Sequence, residues 1–158
     1  MPAKKKQRKV PKRYTAGLSE ADKKKREKQV RARTKASEKG KPNYKPMAGD
    51  KGAKTKKSTY TKKAEKSGLK SRIQENMNGT GKEAYIKAVA KATGYPVGIL
   101  RTVHERGARA WATGRRPGAS QAAWSRGRVL SFVQGGKTTK TADKDLYAKA
   151  NKSRKKKP

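Results

Sequence analysis

The sequence has no cysteine, one histidine and one phenylalanine among 158 residues. Without cysteine there is no disulfide, no thiolate metal site and no cysteine nucleophile. His104 has no second imidazole with which to share a metal or relay a proton. Acidic residues are also scarce, 11 against 46 lysines and arginines, for a net charge of +35. They are scattered, and no paired carboxylates or Ser/His/Asp grouping stands out. The expectation is a protein that is not an enzyme, with no catalytic residue, no metal ligand, no cofactor and no small-molecule substrate. Apolar residues make up 30%, against roughly 45–50% in ordinary domains. No apolar run approaches the ~18 residues of a membrane span. Met1-Pro2-Ala3-Lys4-Lys5-Lys6 has no apolar segment behind it, which argues against a secretory signal.

What is abundant is positive charge, and such a chain needs an anionic partner: nucleic acid, an anionic membrane surface or acidic protein. Residues 1–80 hold 27 basic and 7 acidic side chains, and residues 81–150 hold 14 and 4. Large apolar residues run the other way. Both tryptophans and the phenylalanine lie between Gly81 and Ala150. The reading is a mainly α protein: a small domain of three to four helices at 81–150, a long basic N-terminal arm, and a short basic tail at 151–158. The arm, residues 1–66, buries too little surface to offset its conformational entropy and is expected to be extended or disordered alone. Within it, Ser19 caps a possible polar helix over 20–36, marginal without a partner. Lys39 to Thr61 reads as linker. Its Tyr44 and Tyr60 are either docking anchors or plain exposed tyrosines.

Residues 67–80 hold a short amphipathic helix with Leu69, Ile73 and Met77 one turn apart, then a linker. Thr80 and Glu83 have capping-box spacing for a helix that stops at Gly94. Pro96 opens the next, which carries Val97, Leu100, Val103, Gly107 and Trp111 and ends at Gly114. Arg115-Arg116-Pro117-Gly118 is a tight basic turn. Ser120 caps a third helix with Trp124, Leu130 and Val133, ended by Gly135-Gly136. A fourth follows Thr141, with Asp143 at its positive end. Gly107 and Gly127 fall mid-helix, through close helix contact or plain tolerance. Gly135-Gly136-Lys137-Thr138 lacks the earlier glycine and the leading strand of a phosphate-binding loop.

The residues assigned to an anionic partner are Lys4, Lys5, Lys6, Arg8, Lys9, Lys12, Arg13, Lys23, Lys24, Lys25, Lys155, Lys156 and Lys157. Lys4 to Val10 also has the form of a nuclear localisation string. A second set, Trp111, Arg115, Arg116, Pro117, Trp124, Arg128 and Phe132, is assigned to an interface or to the core. The tryptophans read first as core and second as exposed anchors, and Arg128 is placed to stack on Trp124. Lysine dominates the tails and arginine the helical part. Lysine is a diffuse point charge, whereas arginine makes forked, directed contacts. The arginines are therefore expected to face a partner.

Residues 51–66 resemble linker-histone tails in composition. Two longer stretches carry a further resemblance. One is Pro11-Lys12-Arg13-Tyr14-Thr15-Ala16-Gly17-Leu18-Ser19 with Ala21-Asp22-Lys23-Lys24-Lys25. The other runs from Ala110-Trp111-Ala112-Thr113-Gly114-Arg115-Arg116-Pro117-Gly118 through Trp124 and Arg128–Val133 to Leu146. Together they resemble a family of small basic proteins from large DNA viruses of algae and amoebae, chlorella viruses among them. The second stretch is also similar to proteins of tailed phages from aquatic bacteria. The resemblance implies a virion component and supplies no catalytic site. It implies a minor capsid protein on the inner shell face, with the major capsid protein and other minor capsid proteins as partners. Viral DNA or the inner membrane surface are further anionic partners, and nuclear passage in the host is a further step. A histone-like, genome-condensing core protein is the alternative.

Overall fold

The computed structural model describes residues 9–51, 59–115 and 117–155, with residues 154 and 155 as backbone only. It is mainly helical. Seven α-helices are present, and the described residues contain no strand. They are α1 (Glu20–Glu38), α2 (Thr59–Lys66), α3 (Leu69–Asn76), α4 (Lys82–Thr93), α5 (Val97–Thr113), α6 (Gln121–Val133) and α7 (Lys144–Lys155), with 3-10 turns at Lys12–Tyr14 and Lys137–Lys140.

Local chemistry sets many of the boundaries. The Ser19 hydroxyl accepts the Asp22 N–H at 3.2 Å and starts α1. The Ser120 hydroxyl accepts the Ala123 N–H at 3.1 Å and starts α6. Each satisfies one amide that the first helical turn leaves unpaired. Gly94, with φ +80°, ends α4 as its N–H bonds to the Ala90 carbonyl. One cap differs from expectation. The Thr80–Glu83 capping box is not formed, because Gly81 takes the cap position with no side-chain bond. Glu83 instead accepts Arg101 Nε and Nη2 at 3.0 and 2.8 Å. With Gly81 at the cap, the Glu83 carboxylate is left to the bidentate, charge-assisted pair with Arg101.

The chain packs as two compact units: Met1–Thr55 with Arg109–Ala119, and Lys56–Ala108 with Ser120–Pro158. This division does not follow the linear one drawn from composition, since the Trp111–Gly118 stretch groups with the N-terminal residues. The first unit has few buried apolar residues, Val30, Met47, Ala112 and Ala119 among them. Segment 9–51 is nonetheless not extended. α1 buries Arg26, Val30 and Arg33 on one face. The Leu18 side chain packs on Gly49, whose φ of +86° suits glycine. The Tyr14 ring lies on Gly114, where a Cβ would stand 2.6 Å from the ring.

The second unit has the larger core. Leu69, Ile73, Ile86, Val89, Leu100, Val103, Val129 and Phe132 form its centre. Phe132 is fully buried, with Tyr95 and Tyr147 set edge-on at 5.5 and 5.6 Å. Helix α2, read from sequence as linker and arm, belongs to this unit. Its Ala64 is fully buried, and Tyr60 is an anchor. The Tyr60 carbonyl accepts Gln134 Nε2 at 2.9 Å, and its hydroxyl accepts the Lys137 N–H at 3.1 Å. Gly107 marks a close helix contact, since a Cβ there would stand 3.1 Å from Ser125 Cα. Gly127 faces open space and is simply tolerated.

Gly136 sits under the Tyr60 ring, and an added Cβ would overlap that ring and the Ser131 hydroxyl. Gly136→Ala is therefore expected to cost about 1–3 kcal/mol, the usual penalty of overpacking. Urea unfolding followed by circular dichroism measures it. A midpoint equal to the parent's contradicts the tight packing.

Candidate functional site

The buried chemistry of the first unit centres on Asp50. Its Oδ1 accepts Arg26 Nη1 at 2.7 Å, and its Oδ2 accepts Arg115 Nη2 at 2.5 Å. Two amides complete its shell, Met47 N–H at 2.9 Å and Gly118 N–H at 3.3 Å. Both arginine side chains are fully buried. Other donors of the pair reach backbone oxygens, Arg26 to Ala48 at 2.8 Å and Arg115 at 2.9 Å, and Arg115 to Trp111 at 2.9 Å, while the Nε of each is buried without a hydrogen-bond partner. Arg33 holds the same loop by donating to the carbonyls of Lys45 and Pro46. One carboxylate thus ties α1, the 46–50 loop and the 115–118 turn together.

The electrostatics follow from this geometry. Burial pushes the Asp50 carboxyl up, but the Met47 amide, Arg26 and Arg115 together outweigh it and hold it below the usual range. Burial lowers the Arg115 pKa despite the pull of Asp50. The decisive point is that a guanidinium stays protonated at any ordinary pH. The cluster is a fixed ion pair, with neither a free base nor a nucleophile.

Arg115 also lies over the Trp111 indole at 3.5 Å, a cation–π contact. The indole N–H donates to the Ala119 carbonyl at 2.7 Å, and Tyr44 stacks on the ring at 6.5 Å between centroids. Trp111 is half-buried, between the two sequence readings, and Pro117 is buried. Tyr44 is an anchor within its own unit even though it is 44% exposed.

A second staple lies in the other unit. Asp143 is fully buried and accepts Arg128 Nε and Nη2 at 3.0 and 2.8 Å and Arg106 Nη1 at 3.3 Å. The sequence reading gave Arg128 to Trp124, whereas the structure gives its guanidinium to Asp143. A half-buried cation gains more from a buried carboxylate at hydrogen-bond distance than from a ring face. Arg106 pairs also with Asp145, both bonds at 3.0 Å. That contact holds the Asp145 carboxyl down to about 2. Arg126 lies over the Tyr85 ring at 4.8 Å, while burial pushes the Tyr85 hydroxyl up to about 12. Trp124 is half-buried.

The expectation that the helical arginines face a partner is therefore corrected for Arg101, Arg106, Arg115 and Arg128, which make intramolecular bonds. The sequence reading missed Asp50, Arg26 and Arg33. The available signal was a lone aspartate after a glycine in an otherwise basic linker. Lys9, Lys12, Arg13, Lys24 and Lys25 are exposed, and Lys23 is half-buried beside Glu20 at 3.5 Å. Lys4, Lys5, Lys6, Arg8, Arg116, Lys156 and Lys157 lie outside the described residues, as does the Lys155 side chain.

Among the described residues no group of three or more His, Cys, Asp or Glu is placed to hold a metal. No helix there is long and apolar enough to cross a membrane. His104 is buried on α5, and burial, then Lys82 and Arg126, lowers its pKa. What the described surface offers chemically is cations, chiefly ammonium groups with the guanidiniums of Arg13, Arg72 and Arg109.

A family model described as a family of unknown function, DUF5824, matches residues 11–147. That span includes Arg26, Asp50, Arg115, Arg128 and Asp143. No curated protein and no solved structure matches the chain.

Proposed function

For a chain that belongs to the DUF5824 family, matched across both arginine–carboxylate clusters, we propose a non-enzymatic structural role in a virion. The concrete form is a minor capsid protein on the inner face of a large DNA virus shell, cementing neighbouring capsid proteins. The observation that carries this reading is the division of labour between the two cations. Arg26, Arg115 and Arg128 turn inward onto Asp50 and Asp143, and the cations left exposed are mainly lysines, joined by Arg13, Arg72 and Arg109. The result is a pair of folded units with a cationic exterior, suited to holding acidic protein or an anionic interior together. The resemblance of residues 11–25 and 95–147 to small basic proteins of algal and amoebal DNA viruses supplies the virion context. The basic ends at 1–13 and 151–158 are the arms in this proposal.

Lysine-reactive cross-linking of purified, nuclease-treated particles tests it. Links to the major and minor capsid proteins are expected. Absence of the protein from such particles sinks the reading.

The lysine exterior also favours a second reading, a histone-like condenser of the genome. Phosphate neutralisation by lysine releases counterions and reads no sequence. A condenser stays with DNA after shell removal and leaves it in 1 M salt. A minor capsid protein stays with the shell.

A further inference from the structure

Helix α1 has two faces that differ in function although both are charged. Arg26, Val30 and Arg33 are buried. On the opposite side Lys24, Lys28, Lys35 and Lys39 are exposed. Their spacing of four, seven and four residues brings them within about 60° of one another around the helix, at 3.6 residues per turn. The intervening turn carries the exposed Ala32 at one edge of the stripe and the half-buried Arg31, paired with Glu27 at 3.8 Å, at the other. The stripe is ~22 Å long at 1.5 Å per residue.

None of these four lysines has an acidic partner among the described residues. Of the acids at the edge of the stripe, Glu20 pairs with Lys23 at 3.5 Å and Glu27 with Arg31 at 3.8 Å, and the exposed Glu38 lies three residues from Lys35. The stripe is thus a row of four lysines on one helix, none of them in an ion pair among the described residues. The helix's rear face is fixed by Arg26 to Asp50 and by Arg33 to the 45–46 carbonyls.

We infer that this face binds the phosphate backbone of duplex nucleic acid without reading its sequence. Charge complementarity selects the occupant. A duplex carries one phosphate per 3.4 Å on each strand, so the stripe parallels a backbone over roughly six base pairs. Four point charges in line match a line of like anions, whereas an acidic protein surface offers no such repeat. The exposed cations of the stripe are lysines, with the half-buried Arg31 at its edge, and α1 carries no aromatic, which matches backbone contact and not base contact. The inference rests on the reading above only in taking the cationic exterior as the working surface.

The test uses the full chain and a fluorescent duplex of arbitrary sequence, with affinity measured as a function of salt. One variant carries Lys24→Gln, Lys28→Gln, Lys35→Gln and Lys39→Gln. A control carries Lys87→Gln, Lys91→Gln, Lys144→Gln and Lys149→Gln, four exposed lysines of the second unit with the same loss of charge. Glutamine keeps the helix. The stripe variant is expected to lose about 3–4 from the slope of log K against log salt, and more than tenfold in affinity near 0.15 M salt, as for four lost phosphate contacts. The control is expected to lose less than half as much slope, and two unrelated duplexes should bind the parent alike.

A third variant with arginine at the four stripe positions should keep the parent slope. Equal losses in the stripe and control variants overturn the proposal, as does an arginine variant that binds as weakly as the glutamine one. If the slopes are equal while particle cross-links to the shell persist, the nucleic-acid assignment fails and the virion role stands. Stripe-dependent binding by a protein absent from particles separates the two the other way.

Discussion

Asp50→Asn is expected to unfold the first unit. The substitution keeps the shape of the side chain and removes its charge, leaving Arg26 and Arg115 buried beside each other with no counterion. Removing one partner of a buried ion pair costs about 3–5 kcal/mol, chiefly because the charge left behind stays desolvated. Two cations share this carboxylate, and few apolar residues are buried around them. Hydrogen exchange reads the result directly. Amides of Ala32 to Glu38 and of the 110–113 turn of α5 should lose protection, and trypsin should cut at the lysines of α1. Protection equal to the parent's sinks the claim that this ion pair holds the unit.

The same residue sets an acid limit. Its folded-state pKa is depressed relative to the ordinary value of 3.8. A depressed carboxyl contributes stability that is fully present above the unfolded pKa and is lost as pH falls through the folded one. Protection in α1 should accordingly be flat near neutrality and fall only below pH 3.8. Loss of protection near pH 6 contradicts the assignment.

Asp143→Asn is expected to have the next largest effect. Asp143 is fully buried and neutralises Arg128, with Arg106 as a second donor. It also stands just ahead of α7, where its carbonyl accepts the Tyr147 N–H at 2.9 Å. The expected cost is about 3 kcal/mol. At roughly 4–8 °C per kcal/mol for a unit of this size, the melting temperature should fall by more than 10 °C. Arg128→Met should cost less, because Asp143 keeps Arg106 at 3.3 Å and the thioether retains the stem's packing. Thermal melts of both variants check the order. If Arg128→Met proves the more damaging, the shared-carboxylate account is wrong. Asp145 should behave differently, since its pair with Arg106 is exposed and screened by water.

Both clusters separate what is local in this protein from what is not. Ser19 and Ser120 start helices, and Gly94 and Gly135 finish them, through bonds that span three to five residues; these were legible in the order of the side chains. So was the mainly helical class, from periodic apolar residues between glycines. The arginines are another matter. Arg101, Arg106, Arg115 and Arg128 have the same chemistry whether they face a partner or an aspartate of the same chain.

Arg26 finds Asp50 across 24 residues, and Arg115 finds it across 65. A charged side chain carries no periodicity that marks its direction, because its burial depends on whether one particular counterion comes within hydrogen-bond distance. For the same reason α2 was invisible: its eight residues are mostly polar, and Tyr60 and Ala64 are committed only by Gly136 and the core beside them. Gly107 and Gly127 make the point with one residue type. Both sit mid-helix in the sequence, and only the presence of Ser125 against Gly107 distinguishes a close contact from open space. Sequence alone determined the helical class, most of the helices and the great excess of positive charge. The tertiary structure decided which of those charges are consumed inside, because a few carboxylates can neutralise only the cations that the fold brings to them.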